Sequence, residues 1–395
     1  MTTAVALTYV GGRASRNYRM NARSLVVAAL LSACVSEDAS VSDASFVYVS
    51  NEDSNDISVI DARGDTVVAT LPVGKRPRGI LLSPDGRTVY VALSGSPKAS
   101  PGIDESTLPP PDKSADAIAA IDVTTREVRA RYPGGSDPEA FAISPDQRTV
   151  YVSNEDAGLV SAVDVTTGSV SYQLPVGGEP EGVGMTPNGR FVYVTSEEAH
   201  QVAVIDVDKR AVVARIPIGK RPRAVAFTPN GEKAYVSEEL GGTVAVIDAR
   251  RHAMLCTIRI PGEGAKPMGI AITPDGRQAL VTTGRGGTLA FIDVRSDSVL
   301  EVIPVGTRPW GVAVSSDGTK AYTANGPSND VSVIDIETRR VTKRVAVGRV
   351  PWGVAAPSTP RHQTRPSLRS GSPAARARGG LEVTPAPLTE GVSSR

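Results

Sequence analysis

Residues 150–189 read VYVSNEDAGLVSAVDVTTGSVSYQLPVGGEPEGVGMTPNG. Apolar residues alternate there with small or polar ones over Val150–Asn154, Leu159–Asp164, Ser169–Leu174 and again from Gly182, which is the period-2 pattern of strands. Pro187-Asn188-Gly189 closes the unit with a turn: proline presets one dihedral and glycine accepts a positive φ. Equivalent turns follow at Pro84-Asp85-Gly86, Pro229-Asn230-Gly231 and Pro274-Asp275-Gly276. Counted outward from the axis, the third strand of each unit ends on aspartate, at Asp61, Asp122, Asp164, Asp206, Asp248, Asp293 and Asp335, spaced 61, 42, 42, 42, 45 and 42 residues apart. Four strands in a period of about 40–45 residues describe a propeller blade, which buries its faces only against its neighbours. The chain therefore reads as all-β, a seven-bladed β-propeller of four-stranded blades over residues 46–356.

The ends of the repeat region are out of phase. Phe46–Ser50 reads as the second strand of a blade and Trp352–Ala356 as an innermost strand. The closing blade is thus expected to take three strands from the N-terminal side and one from the C-terminal side, which leaves no open sheet edge. Aromatic content is only 4%, so packing between blades must rest on Val, Ile, Leu and Ala. Cys256 is expected to face inward as a small buried hydrophobe.

Arg13, Arg16, Arg19 and Arg23 precede the apolar stretch Leu25–Leu31 and then Leu31-Ser32-Ala33-Cys34. The apolar run is too short for a bilayer, which takes about 20 residues, and suits a signal peptide. Residues 1–33, with Met20 as a possible start, are read as a signal of lipoprotein type by resemblance to the lipobox, with Cys34 as the lipidated residue. An ordinary secretory signal is the alternative. Residues 34–45 form a Ser/Asp/Ala-rich tether, and residues 357–395 a basic tail expected to be disordered. With the leader and tail set aside, 33 basic and 40 acidic residues leave a net −7. That balance argues against nucleic-acid binding, which depends on neutralising phosphates.

Strand direction alternates, so the loops leaving the second strand and those entering the innermost strand are expected on one face. The first set contains Asn51-Glu52-Asp53, Asn154-Glu155-Asp156, Ser196-Glu197-Glu198 and Ser237-Glu238-Glu239. The second contains Lys75-Arg76-Pro77-Arg78, Glu179-Pro180-Glu181, Lys220-Arg221-Pro222-Arg223, Arg308-Pro309-Trp310 and Val350-Pro351-Trp352. Arg76, Arg78, Arg221, Arg223, Arg308, Trp310 and Trp352 are the candidate ligand-binding residues, with Glu155, Glu197 and Glu238 setting selectivity. The alternative is that these charges pair between blades and the tryptophans fill gaps. Charge reversal at Arg78 and Arg223 is expected to abolish binding without unfolding the ring. A 19-residue insertion within Leu93–Asp116 falls on the same face and reads as an extended lid.

No catalytic constellation is visible. The three histidines, His200, His252 and His362, share no metal-ligand spacing. Asn51–Asp56, and Asn325 with Asn329 and Asp330, could offer oxygens to calcium or could cap turns.

The repeated Tyr-Val-Ser-Asn, Ser-Val-Ile-Asp and Pro-Val-Gly-x-x-Pro-x-Gly-Val segments resemble the YVTN-repeat propellers. VYVSNED (47–53), ALSGSP (92–97), PVGGEPEGV (175–183), NGPSNDVSVID (325–335) and VGRVPWGV (347–354) resemble the members associated with alcohol catabolism dependent on pyrroloquinoline quinone (PQQ). The resemblance implies an exported protein, periplasmic or an outer-membrane lipoprotein of a Gram-negative-type bacterium. It also implies a role accessory to PQQ-dependent alcohol oxidation. The expected function is non-enzymatic binding of a small molecule or periplasmic protein by a monomer, touching membrane only through its lipid. No catalytic residue, metal or cofactor is expected, with PQQ and Ca2+ left open. The alternatives are a propeller enzyme, either a lactonase-like hydrolase or a quinone-dependent redox protein, and a structural cell-surface repeat protein.

Overall fold

A computed structural model describes residues 46–98 and 107–357. The proposed signal, Cys34, the tether, the middle of the 93–116 insertion and the tail beyond residue 357 lie outside the described residues. Twenty-eight strands form seven antiparallel sheets of four. β1 (Phe46–Asn51), β2 (Asp56–Asp61) and β3 (Thr66–Pro72) are completed by the last strand, β28 (Pro351–Ala355), in the order β28-β1-β2-β3. The terminal segments therefore close the ring in one shared blade, three strands against one.

Blade 1 is this shared blade, and blades 2–7 follow in chain order. Between each pair of neighbours lies an apolar cluster. Tyr48, Ile57 and Val59 of blade 1, for example, meet Ile80, Val89 and Val91 of blade 2. Tyr48, Tyr193, Tyr235 and Tyr322 occupy one repeat position and are fully buried, so the few aromatics sit where blades stack.

The repeating aspartate is a turn cap. Asp122 Oδ1 accepts the backbone N–H groups of Thr124 (2.7 Å) and Thr125 (2.8 Å), and Asp164 does the same with Thr166 and Thr167. These bonds hold both carboxyls below the usual range.

Toward the rim most residues of the outermost strands are exposed. Cys256 lies in such a strand (Ala253–Arg259) and is exposed, which corrects the expectation that it is buried. Near the axis the opposite holds. A Cβ on Gly182 would come within 2.1 Å of the Arg223 carbonyl oxygen of the next blade. Gly182→Ala is expected to destabilise by about 1–3 kcal/mol through overpacking; an unchanged urea midpoint would contradict this contact.

Candidate functional site

One residue of each blade, the one after the proline that leads into its innermost strand, borders the axial opening. In blade order from blade 1 these are Trp352, Arg78, Glu139, Glu181, Arg223, Met268 and Trp310, all lining one cavity of about 630 Å³. Three local devices set them there. The residue before the proline takes a left-handed φ in six blades, at Arg76, Asp137, Glu179, Arg221, Arg308 and Val350 (41° to 58°). Between this proline and the regular pairing that follows, the strand is bulged, as between Pro77 and Ile80 or Pro222 and Val225, which re-aims the intervening side chains. A second-strand hydroxyl then holds the mouth residue's carbonyl in the next blade. Ser50 Oγ donates to Arg78 O (2.6 Å), Thr195 Oγ1 to Arg223 O (2.8 Å) and Thr282 Oγ1 to Trp310 O (2.6 Å). The two loop sets share one face, because Glu197 N–H donates to Glu179 O and Glu239 N–H to Arg221 O, each at 3.0 Å.

The ring divides into two arcs. Along the first, Arg78 pairs with Asp137, Glu139 and Glu155, while Arg223 pairs with Glu181, Glu197 and Glu239. Arg221 adds contacts to Glu197 (2.5 Å) and Glu239 (3.5 Å), and Arg76 meets Glu52 at 2.9 Å. Arg78, Glu139 and Glu181 are 5%, 4% and 6% exposed, so these are desolvated ion pairs. Burial pushes Glu139 well above the usual carboxylate range and Glu155 to about 7. Burial, then the charge of Glu181, pushes Glu197 up to about 9. Burial would raise Glu181 too, but the charge of Arg223 leads the effects that hold it low.

Along the second arc stand Met268, Trp310 and Trp352. The indoles meet edge to face at 6.1 Å, and the Arg308 guanidinium lies 5.0 Å over the Trp310 ring. The described flanks of the insertion reach this mouth. Lys98 pairs with Glu52 (2.9 Å) and Asp53 (3.0 Å) of blade 1, and Lys113 pairs with Asp156 of blade 3.

Of the residues singled out from the sequence, Arg76, Arg78, Glu155, Arg221, Arg223, Arg308, Trp310 and Trp352 line the cavity. Glu197 and Glu238 are not among its lining residues. Glu197 lies beneath the mouth between the arginines, and Glu238 is consumed locally by Gly219 N–H (2.6 Å) and Thr243 Oγ1 (2.5 Å). Glu239, its neighbour, takes the position of Glu155 and Glu197, a match that aligning the repeats residue by residue makes visible. Glu139 and Met268 complete the ring, although no sequence signal singles them out, together with Glu181 of the Glu179-Pro180-Glu181 loop. Arg78 and Arg223 are embedded in ion clusters, so the expectation that reversing them leaves the ring folded is revised.

Asn51 and Asn325 spend their amides on Asp56 (2.7 Å) and Asp330 (2.6 Å), which is turn capping. Among the described residues, no group of three His, Cys, Asp or Glu is arranged to hold a metal.

Two family models match the chain: "YNCE-like beta-propeller" over residues 111–231 and "Lactonase, 7-bladed beta-propeller" over residues 183–355. Antigen Lp49 of Leptospira interrogans is 31% identical over 108 residues, 27% of this chain and 23% of that protein's length. Hydrazine synthase of Kuenenia stuttgartiensis superposes with a TM-score of 0.64 at 21% identity, covering 74% of this chain and 93% of that one. A functionally unknown protein of Desulfotomaculum acetoxidans superposes at 0.66 with 17% identity, covering 79% and 99%. At such identities the likeness concerns fold. Blade count and closure make this chain a seven-bladed β-propeller, and both family models that match it are propellers, the lactonase model a seven-bladed one.

Proposed function

We propose that the protein is a binding module whose ligand enters the axial mouth. The observation that carries this reading is the division of the ring. A scaffold needs ion pairs between blades, and the arc from Arg78 to Arg223 supplies them. It does not need two half-buried tryptophans and an unneutralised arginine facing a cavity of about 630 Å³, a volume within the roughly 300–1,000 Å³ range of small-molecule sites. Mass spectrometry of small molecules retained by the natively purified protein tests the reading. Wild type is expected to carry a species that Trp310→Ala/Trp352→Ala loses while keeping its circular dichroism; retention by the variant contradicts the reading.

The same proposal places the protein outside the cytoplasm, anchored through Cys34, with Leu31-Ser32-Ala33-Cys34 and the resemblance to exported propellers as support. Cys34→Ala is expected to move the protein from the membrane fraction to the soluble fraction; an unchanged distribution would count against the anchor. A role beside PQQ-dependent alcohol oxidation is the narrower form of the proposal, and it rests on the quoted sequence segments alone.

A hydrolase is the second reading, favoured by the lactonase-type match over residues 183–355 and by the cavity-lining carboxyls Glu139 and Glu155, which burial moves upward. Turnover of a lactone panel by the purified protein, lost in Glu155→Gln, would replace the binding reading with this one.

A further inference from the structure

The free half of the mouth has a definite chemistry. On the charged arc Arg76, Arg78, Arg221 and Arg223 each hold at least one carboxylate. Arg308 differs: among the described residues its guanidinium has no ion pair and no side-chain hydrogen bond, only the Trp310 face beneath it. It is half-buried, and burial, with Arg285 nearby, disfavours its charge. Trp310 Nε1 is buried without an acceptor. Below the indoles the wall is Gly269, Gly311 and Gly353, then Ile270, Val312 and Val354, so a thin apolar body can lie against it.

The geometry points to a flat aromatic anion as the ligand class, an aryl carboxylate or its like, with its rings against Trp310, Trp352 and Met268 and its negative group on Arg308. This inference rests on the binding reading above and narrows it. Guanidinium is the group suited to bidentate carboxylate recognition, and indole faces supply area at small entropic cost. The competing class is an aromatic amine directed to the opposite arc, where the six carboxyls Asp137, Glu139, Glu155, Glu181, Glu197 and Glu239 share three guanidiniums. That surplus is met internally by retained protons, as on Glu197. Arg308 has no such internal remedy.

Calorimetric titration of the full chain with 2-naphthoate, 2-naphthalenemethanol and 2-naphthylmethylamine distinguishes these classes. Naphthoate is expected to bind at least tenfold tighter than the other two. Arg308→Gln is expected to remove at least tenfold of that affinity and leave the alcohol unchanged, and Trp310→Ala to weaken all three. Equal or tighter binding of the amine or alcohol, an indifferent Arg308→Gln, or no naphthoate binding overturns the inference. The binding reading survives if an uncharged or cationic probe binds and Trp310→Ala/Trp352→Ala abolishes it. That reading falls on its own terms if the double variant retains the co-purified species.

Discussion

Arg78→Glu is expected to lower the stability of the propeller by at least about 3–5 kcal/mol, the usual cost of leaving a buried ion cluster without its counter-charge. Arg78 is 5% exposed and pairs with Asp137, Glu139 and Glu155. A glutamate there would bring a fourth carboxyl into a site where burial already pushes Glu139 well above the usual carboxylate range. Arg78→Met should cost less, because it removes the cation without adding an anion and the carboxyls can take up protons. Arg308→Glu is the control. Arg308 has no carboxylate partner, and its replacement is expected to shift the urea midpoint by no more than about 0.5 kcal/mol equivalent. A wild-type midpoint for Arg78→Glu would show that the charged arc does not hold blades together.

The second large effect is on pH. Burial raises Glu155 to about 7 and Glu197 to about 9 from an ordinary 4.5, with Glu139 moved the same way. A folded state with raised carboxyl pKa values binds protons that the unfolded chain has already released. Its stabilising share is therefore complete below about 4.5 and is lost as pH rises through the folded values. Glu181 is displaced in the opposite direction and works at the acid end. Stability should thus peak near pH 5 and fall by roughly 2 kcal/mol or more by pH 9, a tenfold change in proton affinity being worth about 1.4 kcal/mol. Glu155→Gln with Glu197→Gln should flatten the decline. A wild-type profile level from pH 5 to 9 in chemical denaturation would contradict the protonation assigned to these carboxyls.

The fold was legible because a repeat states itself seven times. The recurring aspartate fixed the period, and the phase difference between Phe46 and Trp352 was enough to expect the shared closing blade. The mouth was legible only in part. Arg-Pro-Arg and Arg-Pro-Trp stand out as strings, whereas Glu139 and Met268 in Pro-Glu-Ala and Pro-Met-Gly do not, and their role appears only when seven prolines are brought round one axis. Glu238 stands at the strand-end position of Asn154 and Ser196 and Glu239 at that of Glu155 and Glu197, so a single residue separates the capping position from the one that meets the arginines. Nothing in the string separates saturated arginines from an unsaturated one. That distinction between Arg78 and Arg308 depends on which carboxylates neighbouring blades deliver. The exposure of Cys256 is not legible in the sequence, because alternation reports strand faces and not what covers them.

A crystal structure of the full chain soaked with 2-naphthoate tests the central claim most directly. The account predicts density in the axial mouth, with the carboxylate about 3 Å from the Arg308 guanidinium and the rings against Trp310 and Trp352. Density on another surface, or a carboxylate turned toward Arg78 and Arg223 in place of Arg308, would contradict it.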